Sequence, residues 1–284
     1  MSSTPPSPSL AQGPAAPKSA PPIHILPNSI SKTYALIHPV LLLALLALRF
    51  NALVADPVAE LLSKLPFLAL LQVAFVMTCL PPAGSAKDDD DKSTSANSSS
   101  SSSNAGSTSG VILKPGKMGL RRKNTPKSDS ACLSAKLIPA ILSLTLTTLL
   151  ATPVLTILLV LFGAPLTTHH PETLLCGAHM AVLTSTALIY VHGVDGSVWK
   201  EVWGARRPAD AVWGAALGTC VGAWFGAVPI PLDWDRPWQA FPITIVIGAY
   251  IGYGVGFGLG RTVLFGKRLK IEEEGDVVEG KKVD

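Results

Sequence analysis

The chain has 284 residues, of which 48% are hydrophobic and only 15% are charged, and its net charge is +4. A soluble domain carries about 25% charged residues, so this composition excludes an ordinary soluble protein. The basic residues lie between long apolar runs, a pattern that indicates membrane orientation and not nucleic-acid binding. The sequence therefore predicts an all-α integral membrane protein with about six transmembrane helices.

Residues 1–33 are predicted to form a disordered cytosolic tail, because they are rich in Pro and Ser and lack the apolar core of a cleavable signal. Residues 34–80 are predicted to form a transmembrane hairpin, with its second span beginning at Pro57. Glu60 and Lys64 are four residues apart in that span, so they share one helical face. The two spans of the hairpin are expected to be antiparallel helices.

Residues 81–136 form a low-complexity segment that cannot bury enough apolar surface to fold, and they are predicted to be a disordered cytosolic loop. Residues 137–264 hold four further apolar runs, predicted to form a four-helix transmembrane core, and residues 265–284 are predicted to be a loose cytosolic tail. Pro153 is expected to kink the third span. The stretch from residue 192 to residue 208 is predicted to be a polar loop.

Six spans place both termini on one side of the membrane. The tails and loops of that side carry 20 of the 23 Lys and Arg residues, and Arg49, Lys64 and Arg236 are the other three. Cytosolic segments are enriched in Lys and Arg, so both termini are predicted to be cytosolic. The turn over residues 163–172 and the loop over residues 229–240 would then face the lumen together.

Glycine recurs at every fourth position in the last two spans. A spacing of four keeps residues near one helical face, and faces without side chains let two helices approach closely in lipid. Two interpretations follow: the two helices pack against each other, or one of them docks a partner's helix. The helix-packing residues are Gly214, Gly218, Gly222, Gly226, Gly248, Gly252, Gly256 and Gly260.

The loop between the last two spans is the richest polar segment outside the tails. Its prolines stiffen it, its tryptophans suit the membrane interface, and Arg236 offers a planar fork for a phosphate or a carboxylate. The loop is either an interfacial hairpin or a recognition element. The residues proposed for recognition are Asp233, Trp234, Asp235, Arg236 and Trp238.

Two predicted lumenal clusters could supply catalytic groups. They are His169, His170 and Glu172 in one segment and Asp233, Asp235 and Arg236 in the other. Neither spacing matches a metal motif, and no phosphate-binding glycine loop follows a strand. The sequence therefore predicts no catalytic residue, no cofactor and no metal. The cores of the last four spans are nearly free of ionisable residues, which disfavours an ion-coupled transporter.

The segment from Gly222 to Ile243, followed by Gly248 to Gly252, resembles the signature of the PIG-F family. Gly163 to Pro165 and the Glu172-Thr173 pair resemble it too, so the similarity covers about residues 160–262. The Ser- and Asp-rich insertion before this region resembles one that fungal members carry. The resemblance implies a multi-pass protein of the endoplasmic reticulum.

The resemblance also implies a function. PIG-F proteins bind and stabilise the catalytic PIG-O and PIG-G subunits, which transfer phosphoethanolamine onto mannoses of the GPI precursor. The chain is therefore expected to be a non-catalytic membrane subunit in contact with such a transferase and with membrane lipid. The alternative is a lipid-binding protein or enzyme that handles the phosphatidylethanolamine donor itself. Its site would comprise His169, His170, Asp233, Asp235 and Arg236.

Overall fold

The computed structural model describes residues 21–84, 129–232 and 235–268. These ranges are helical and contain no strand, which confirms the all-α class. A π-helical turn, Thr147–Ala151, joins the fourth and fifth helices into one rod. The helices are α1 (Ser29–Ala47), α2 (Phe50–Ala55), α3 (Pro57–Cys79), α4 (Asp129–Leu146), α5 (Thr152–Leu161), α6 (His170–His192), α7 (Gly196–Trp203), α8 (Ala211–Ala227) and α9 (Ile243–Arg261).

Six helical segments of the described chain are long and apolar enough to cross a membrane. They are α1, α3, the α4–α5 rod from Ser134 to Leu161, α6, α8 (extended to Leu232) and α9. A span needs about 20 residues at ~1.5 Å per residue, and these segments have 19 to 28 residues. The prediction of six transmembrane helices is thus confirmed.

The central helix of the bundle is α6. It packs against α3, α4, α5, α8 and α9, and α1 packs on α3 and α9. In its apolar window 83% of the residues are buried, whereas the other spans reach 50% at most. Because α6 is shielded by protein on nearly all sides, the other spans form the lipid-facing surface around it.

Helix ends meet at two opposite ends of the bundle. At one of them, here called the basic end, α1, α4 and α8 begin and α3, α6 and α9 end. The amides of Leu26 and Ala83 donate to the carbonyls of Cys79 and Tyr190 there, each at 2.9 Å. Eight described Lys and Arg residues lie at the basic end and three at the opposite end. The eight Lys and Arg residues of the basic end are Lys32, Lys136, Lys200, Arg206, Arg207, Arg261, Lys267 and Arg268.

The hairpin boundaries differ from the prediction in two places. The tail predicted over residues 1–33 is too long, because α1 begins at Ser29, where the buried Ser31 hydroxyl donates to the Thr78 carbonyl at 2.5 Å. The first span of the predicted hairpin is divided into α1 and α2 at Arg49, whose backbone is not helical. The tail residues before 21 lie outside the described part of the chain.

Two other segments are more ordered than predicted. The polar loop after α6 contains α7, because Asp195 caps that helix by accepting the Ser197 amide at 2.9 Å. The first residues of the tail predicted from residue 265 are tied to the start of α8, because the Lys267 carbonyl accepts a hydrogen bond from the Ala209 amide at 2.8 Å. Residues 269–284 lie outside the described residues. Pro153 lies in the first turn of α5 directly after the π-helical turn, a feature that itself bends helices. The loop predicted over residues 81–136 is too long, because α4 already begins at Asp129. Residues 85–128 of that loop lie outside the described residues.

A charged cluster joins α1 and α3 near the opposite end. The Lys64 ammonium lies 3.3 Å from Glu60 Oε1, which is also 3.4 Å from Arg49 Nε. Glu60 and Lys64 are buried, whereas the Arg49 side chain is 66% exposed. Lys64 also donates to the Leu46 carbonyl at 3.4 Å, one of the unpaired carbonyls at the α1 C-terminus. The cluster therefore holds the hairpin closed.

Replacing Lys64 by Met should leave the Glu60 carboxylate buried with only the exposed Arg49 as partner. Breaking a buried ion pair in this way costs about 3–5 kcal/mol. We expect a lower unfolding midpoint in detergent, and the double variant Glu60→Gln/Lys64→Met should recover much of the loss. Lys32→Met is the control, since Lys32 is exposed. An unchanged midpoint for Lys64→Met would show that Lys64 does not hold the hairpin.

Candidate functional site

The two glycine ladders face each other across the contact between α8 and α9. A Cβ added at Gly252 would lie 2.8 Å from the Gly222 Cα, and one added at Gly218 would lie 2.8 Å from the Gly256 Cα. Real Cβ contacts are essentially never closer than 3.0 Å. Side chains are therefore excluded along the contact, and the two backbones touch directly.

All eight predicted glycines belong to this contact. Gly214 faces Gly256 and Gly260, and the last glycine of α8, Gly226, faces the backbone of Thr244 and Ile245. Their inward faces are therefore covered by the neighbouring helix of the same chain. The other two glycines of α9 lie outside this contact. A Cβ added at Gly254 would lie 3.7 Å from the Pro39 Cβ of α1, and one added at Gly258 would meet no atom within 4 Å.

An apolar groove runs along the outer side of the α8–α9 contact. Its volume is about 740 Å³, and the glycines form its floor. Half-exposed aliphatic and aromatic side chains form its walls, and Trp213 and Trp238 lie towards its two ends. The wall residues include Leu217, Val221, Phe225, Ile251, Val255 and Leu259. The groove opens away from the bundle, so a lipid chain or another helix can enter it.

The loop between α8 and α9 is a closed structure made of two short 3-10 turns, Ile230–Leu232 and Pro237–Gln239. The side-chain amide of the buried Gln239 donates through Nε2 to the Pro229 carbonyl across the base of the loop. Trp238 is half-buried and lines the groove, whereas Asp235 and Arg236 are exposed. Asp233 and Trp234 lie outside the described residues.

The other predicted lumenal cluster precedes and opens α6. His169 and His170 are exposed, and His169 Nδ1 contacts the Thr168 hydroxyl at 2.9 Å. Thr173 donates to the Pro165 carbonyl at 2.7 Å, so the Gly163 to Pro165 turn is tied to the helix start. No group of three possible metal ligands occurs among the described residues.

One polar connection inside the bundle was missed by the sequence analysis. The buried His179 of α6 makes a hydrogen bond of 2.8 Å between Nδ1 and the Tyr250 hydroxyl of α9, and one of 3.0 Å between Nε2 and the Leu61 carbonyl of α3. Because a carbonyl only accepts, Nε2 donates and a neutral imidazole can accept from tyrosine at Nδ1. The signal available in the sequence was an ionisable residue inside an apolar span.

Alanine at Gly252 should destabilise the protein, because its Cβ would collide with the backbone of α8. Overpacking of this kind costs about 1–3 kcal/mol. We expect a lower unfolding midpoint for Gly252→Ala in detergent and none of that loss for Gly258→Ala, the same change on the same helix. Equal midpoints for the two variants would contradict the packing seen between the helices.

Comparison with known proteins identifies the relatives of this chain. The model of a family described as GPI biosynthesis protein family Pig-F matches residues 37–261. A protein of Aspergillus fumigatus named glycosylphosphatidylinositol anchor biosynthesis protein 11 is 60% identical over 268 residues, covering 93% of this chain and 90% of the relative. A Neurospora crassa protein of the same name is 41% identical over 87% of this chain and 80% of its own length.

A more distant human relative has a more specific name. It is called GPI ethanolamine phosphate transferase, stabilizing subunit, and it is 33% identical over 120 residues. The match covers 40% of this chain and 54% of the human protein. No solved structure matches the chain.

Proposed function

The chain belongs to the Pig-F family of GPI biosynthesis proteins, and from this membership we propose that it is a non-catalytic membrane subunit that binds and stabilises a GPI ethanolamine phosphate transferase. The name of the human relative as a stabilizing subunit carries the proposal. The partners would be catalytic subunits of the PIG-O and PIG-G type. The membrane would be that of the endoplasmic reticulum.

The charge distribution supports an orientation with cytosolic termini. The basic end has eight described Lys and Arg residues against three at the opposite end, which favours a cytosolic position for the basic end under the positive-inside rule. The loop between α8 and α9 and the segment before α6 are at the opposite end and would face the lumen. Asp235, Arg236 and Trp238 would then lie beneath a lumenal domain of the transferase.

The surface that would receive the partner is the groove outside the α8–α9 contact. The glycine faces that meet between α8 and α9 are already in contact with each other, so they are not free to dock a partner. The groove along the outer side of this contact is open, and it is the proposed docking surface instead. In lipid, helices associate through close van der Waals contact, and small residues permit it. A transmembrane helix of the transferase that fits the groove could contact the backbones of both α8 and α9.

Filling the groove tests this docking surface. Val221→Trp and Ile251→Trp place a bulky ring in it at residues that are 44% and 49% exposed, so the interior need not rearrange. We expect roughly tenfold less transferase to co-purify with either tagged variant, as for a disrupted interface core. Ile157→Trp is the control, because Ile157 is 60% exposed on α5, away from the groove.

The measurement is an affinity purification from detergent-solubilised microsomes, with the amount of partner divided by the amount of tagged chain. Undiminished recovery of the transferase with both groove variants would overturn the docking surface. Equal losses with Ile157→Trp would do so as well, because they would show a general effect of an added ring on the lipid face. Recovery of the wild-type chain without any transferase would overturn the proposed function itself.

Alanine replacement of the exposed lumenal groups separates this function from direct handling of the phospholipid donor. In a stabilising subunit, His169→Ala/His170→Ala and Asp235→Ala/Arg236→Ala should leave phosphoethanolamine transfer and partner recovery unchanged, or lower both together. Transfer is assayed in microsomes and partner amount by blotting of the same samples. Lost transfer with full partner recovery would instead assign these residues to an active site of this chain.

A further inference from the structure

A small cavity lies at the basic end of the bundle, apart from the groove and the lumenal loops. Its volume is about 210 Å³, and its walls come from three separate parts of the chain. The segment before α1 contributes Ile23, His24 and Ile25, α8 contributes its first residue, Ala211, and the end of α9 and the turn after it contribute Arg261 and Phe265. The cavity is therefore at the level where two spans leave the membrane.

Hydrogen bonds hold these walls in place. The Ile23 amide donates to Asp210 Oδ2 at 3.2 Å, and the Leu26 amide donates to the Cys79 carbonyl at 2.9 Å. The turn after α9 is fixed by the Gly266 amide, which donates to the Ala209 carbonyl at 2.8 Å. The His24 ring lies 4.9 Å from the Phe265 ring, measured between centroids. The cavity is thus a built feature of the fold.

The polar groups that line the cavity are a guanidinium and an imidazole. The Nη1 atom of Arg261 is buried, and none of the described residues accepts a hydrogen bond from it. Among those residues, no carboxylate forms an ion pair with Arg261 either. Burying a cationic donor without an acceptor is costly, so an anionic or acceptor group that reached Nη1 from elsewhere would stabilise this arrangement.

Asp210 is the acidic residue beside the cavity, but its carboxylate already has other partners. It accepts the amides of Ile23 and Trp213, at 3.2 Å and 2.8 Å, and it caps the N-terminus of α8. The positive end of the helix dipole further offsets its charge. Burial raises the pKa of this carboxyl, while those amides and the nearby Arg207 oppose the rise. The Asp210 carboxylate forms no ion pair with Arg261 among the described residues, so it does not serve as the acceptor for this guanidinium.

We propose that this cavity binds a phosphate group, with the Arg261 guanidinium and the His24 imidazole as donors. A guanidinium presents a planar fork of donors that matches phosphate oxygens. The surrounding end of the bundle carries eight Lys and Arg residues against four acidic ones, Asp129, Asp195, Glu201 and Asp210, which favours an anion over a neutral ligand. This inference does not depend on the proposed transferase partner.

Two sources can supply such a group at this position. One is the headgroup of an anionic phospholipid, since the cavity lies where α8 begins and α9 ends and phosphates of the bilayer surface are at that depth. The other is a free phosphate ion from solution. The chemistry at Arg261 is the same for both, and the two differ only in whether an acyl chain is needed for binding.

The test uses the full chain purified in a neutral detergent. Binding of dioleoyl phosphatidic acid and of inorganic phosphate is measured separately by the shift of the thermal unfolding midpoint and by native mass spectrometry. Arg261→Gln removes the buried donor, and His24→Ala removes the exposed one without changing the core. Arg268→Gln is the matched control, because it removes one positive charge from an exposed residue at the same end.

We expect roughly tenfold weaker phosphatidic acid binding for Arg261→Gln, a smaller loss for His24→Ala, and none for Arg268→Gln. Binding of inorganic phosphate with the same variant pattern would identify a free phosphate as sufficient, and binding of the lipid alone would identify the headgroup. Absence of binding by either probe would overturn the proposal, as would equal losses in Arg261→Gln and Arg268→Gln. Should Arg261→Gln not fold, wild-type affinity in His24→Ala would overturn it.

Discussion

The backbones of α8 and α9 touch along their whole length because four glycines on each helix leave no side chain between them. In water such a contact would contribute little, since it buries few apolar side-chain atoms. In lipid, where apolar burial gives no advantage, close van der Waals approach is what associates helices. The pair also sets the position of other helices, because α9 contacts α1 and both α8 and α9 contact the central α6. The glycines that permit this contact also form the floor of the apolar groove on its outer side.

Polar contacts supplement this packing between helices that have no glycine contact. His179 bridges α3 and α9 from the central helix, and Lys64 of α3 closes the first hairpin by donating to the Leu46 carbonyl of α1. Both lie in apolar surroundings, where an unpaired polar group would cost far more than at a soluble surface. Each therefore fixes one relative position of two helices and disfavours the others. The bundle thus combines a close backbone contact between α8 and α9, which has no side chains, with a few polar contacts that define the register of the remaining helices.

The sequence predicted those features that depend on local spacing. Apolar runs gave the number of spans, and the four-residue glycine spacing identified the residues that the structure brings together between α8 and α9. The contacts that could not be predicted join distant parts of the chain: His179 is 118 residues from Leu61 and 71 residues from Tyr250. The order of residues 21–28 was missed for the same reason, because their partners Cys79 and Asp210 are remote in sequence. The helix α7 was missed because its capping by Asp195 was outweighed by the polar composition of the loop.

The residues that carry the family resemblance have structural roles in this fold. Gln239 closes the loop between α8 and α9, Thr173 ties the preceding turn to α6, and the glycines permit the helix contact. None of these roles requires a reacting group, and all of them fix the shape of a surface before any partner arrives. A preformed surface lowers the ordering cost of association, which is the property that the proposed stabilising role needs. In the proposed complex, the exposed Asp235 and Arg236 would add specificity at the rim, where charged contacts act mainly on partner choice.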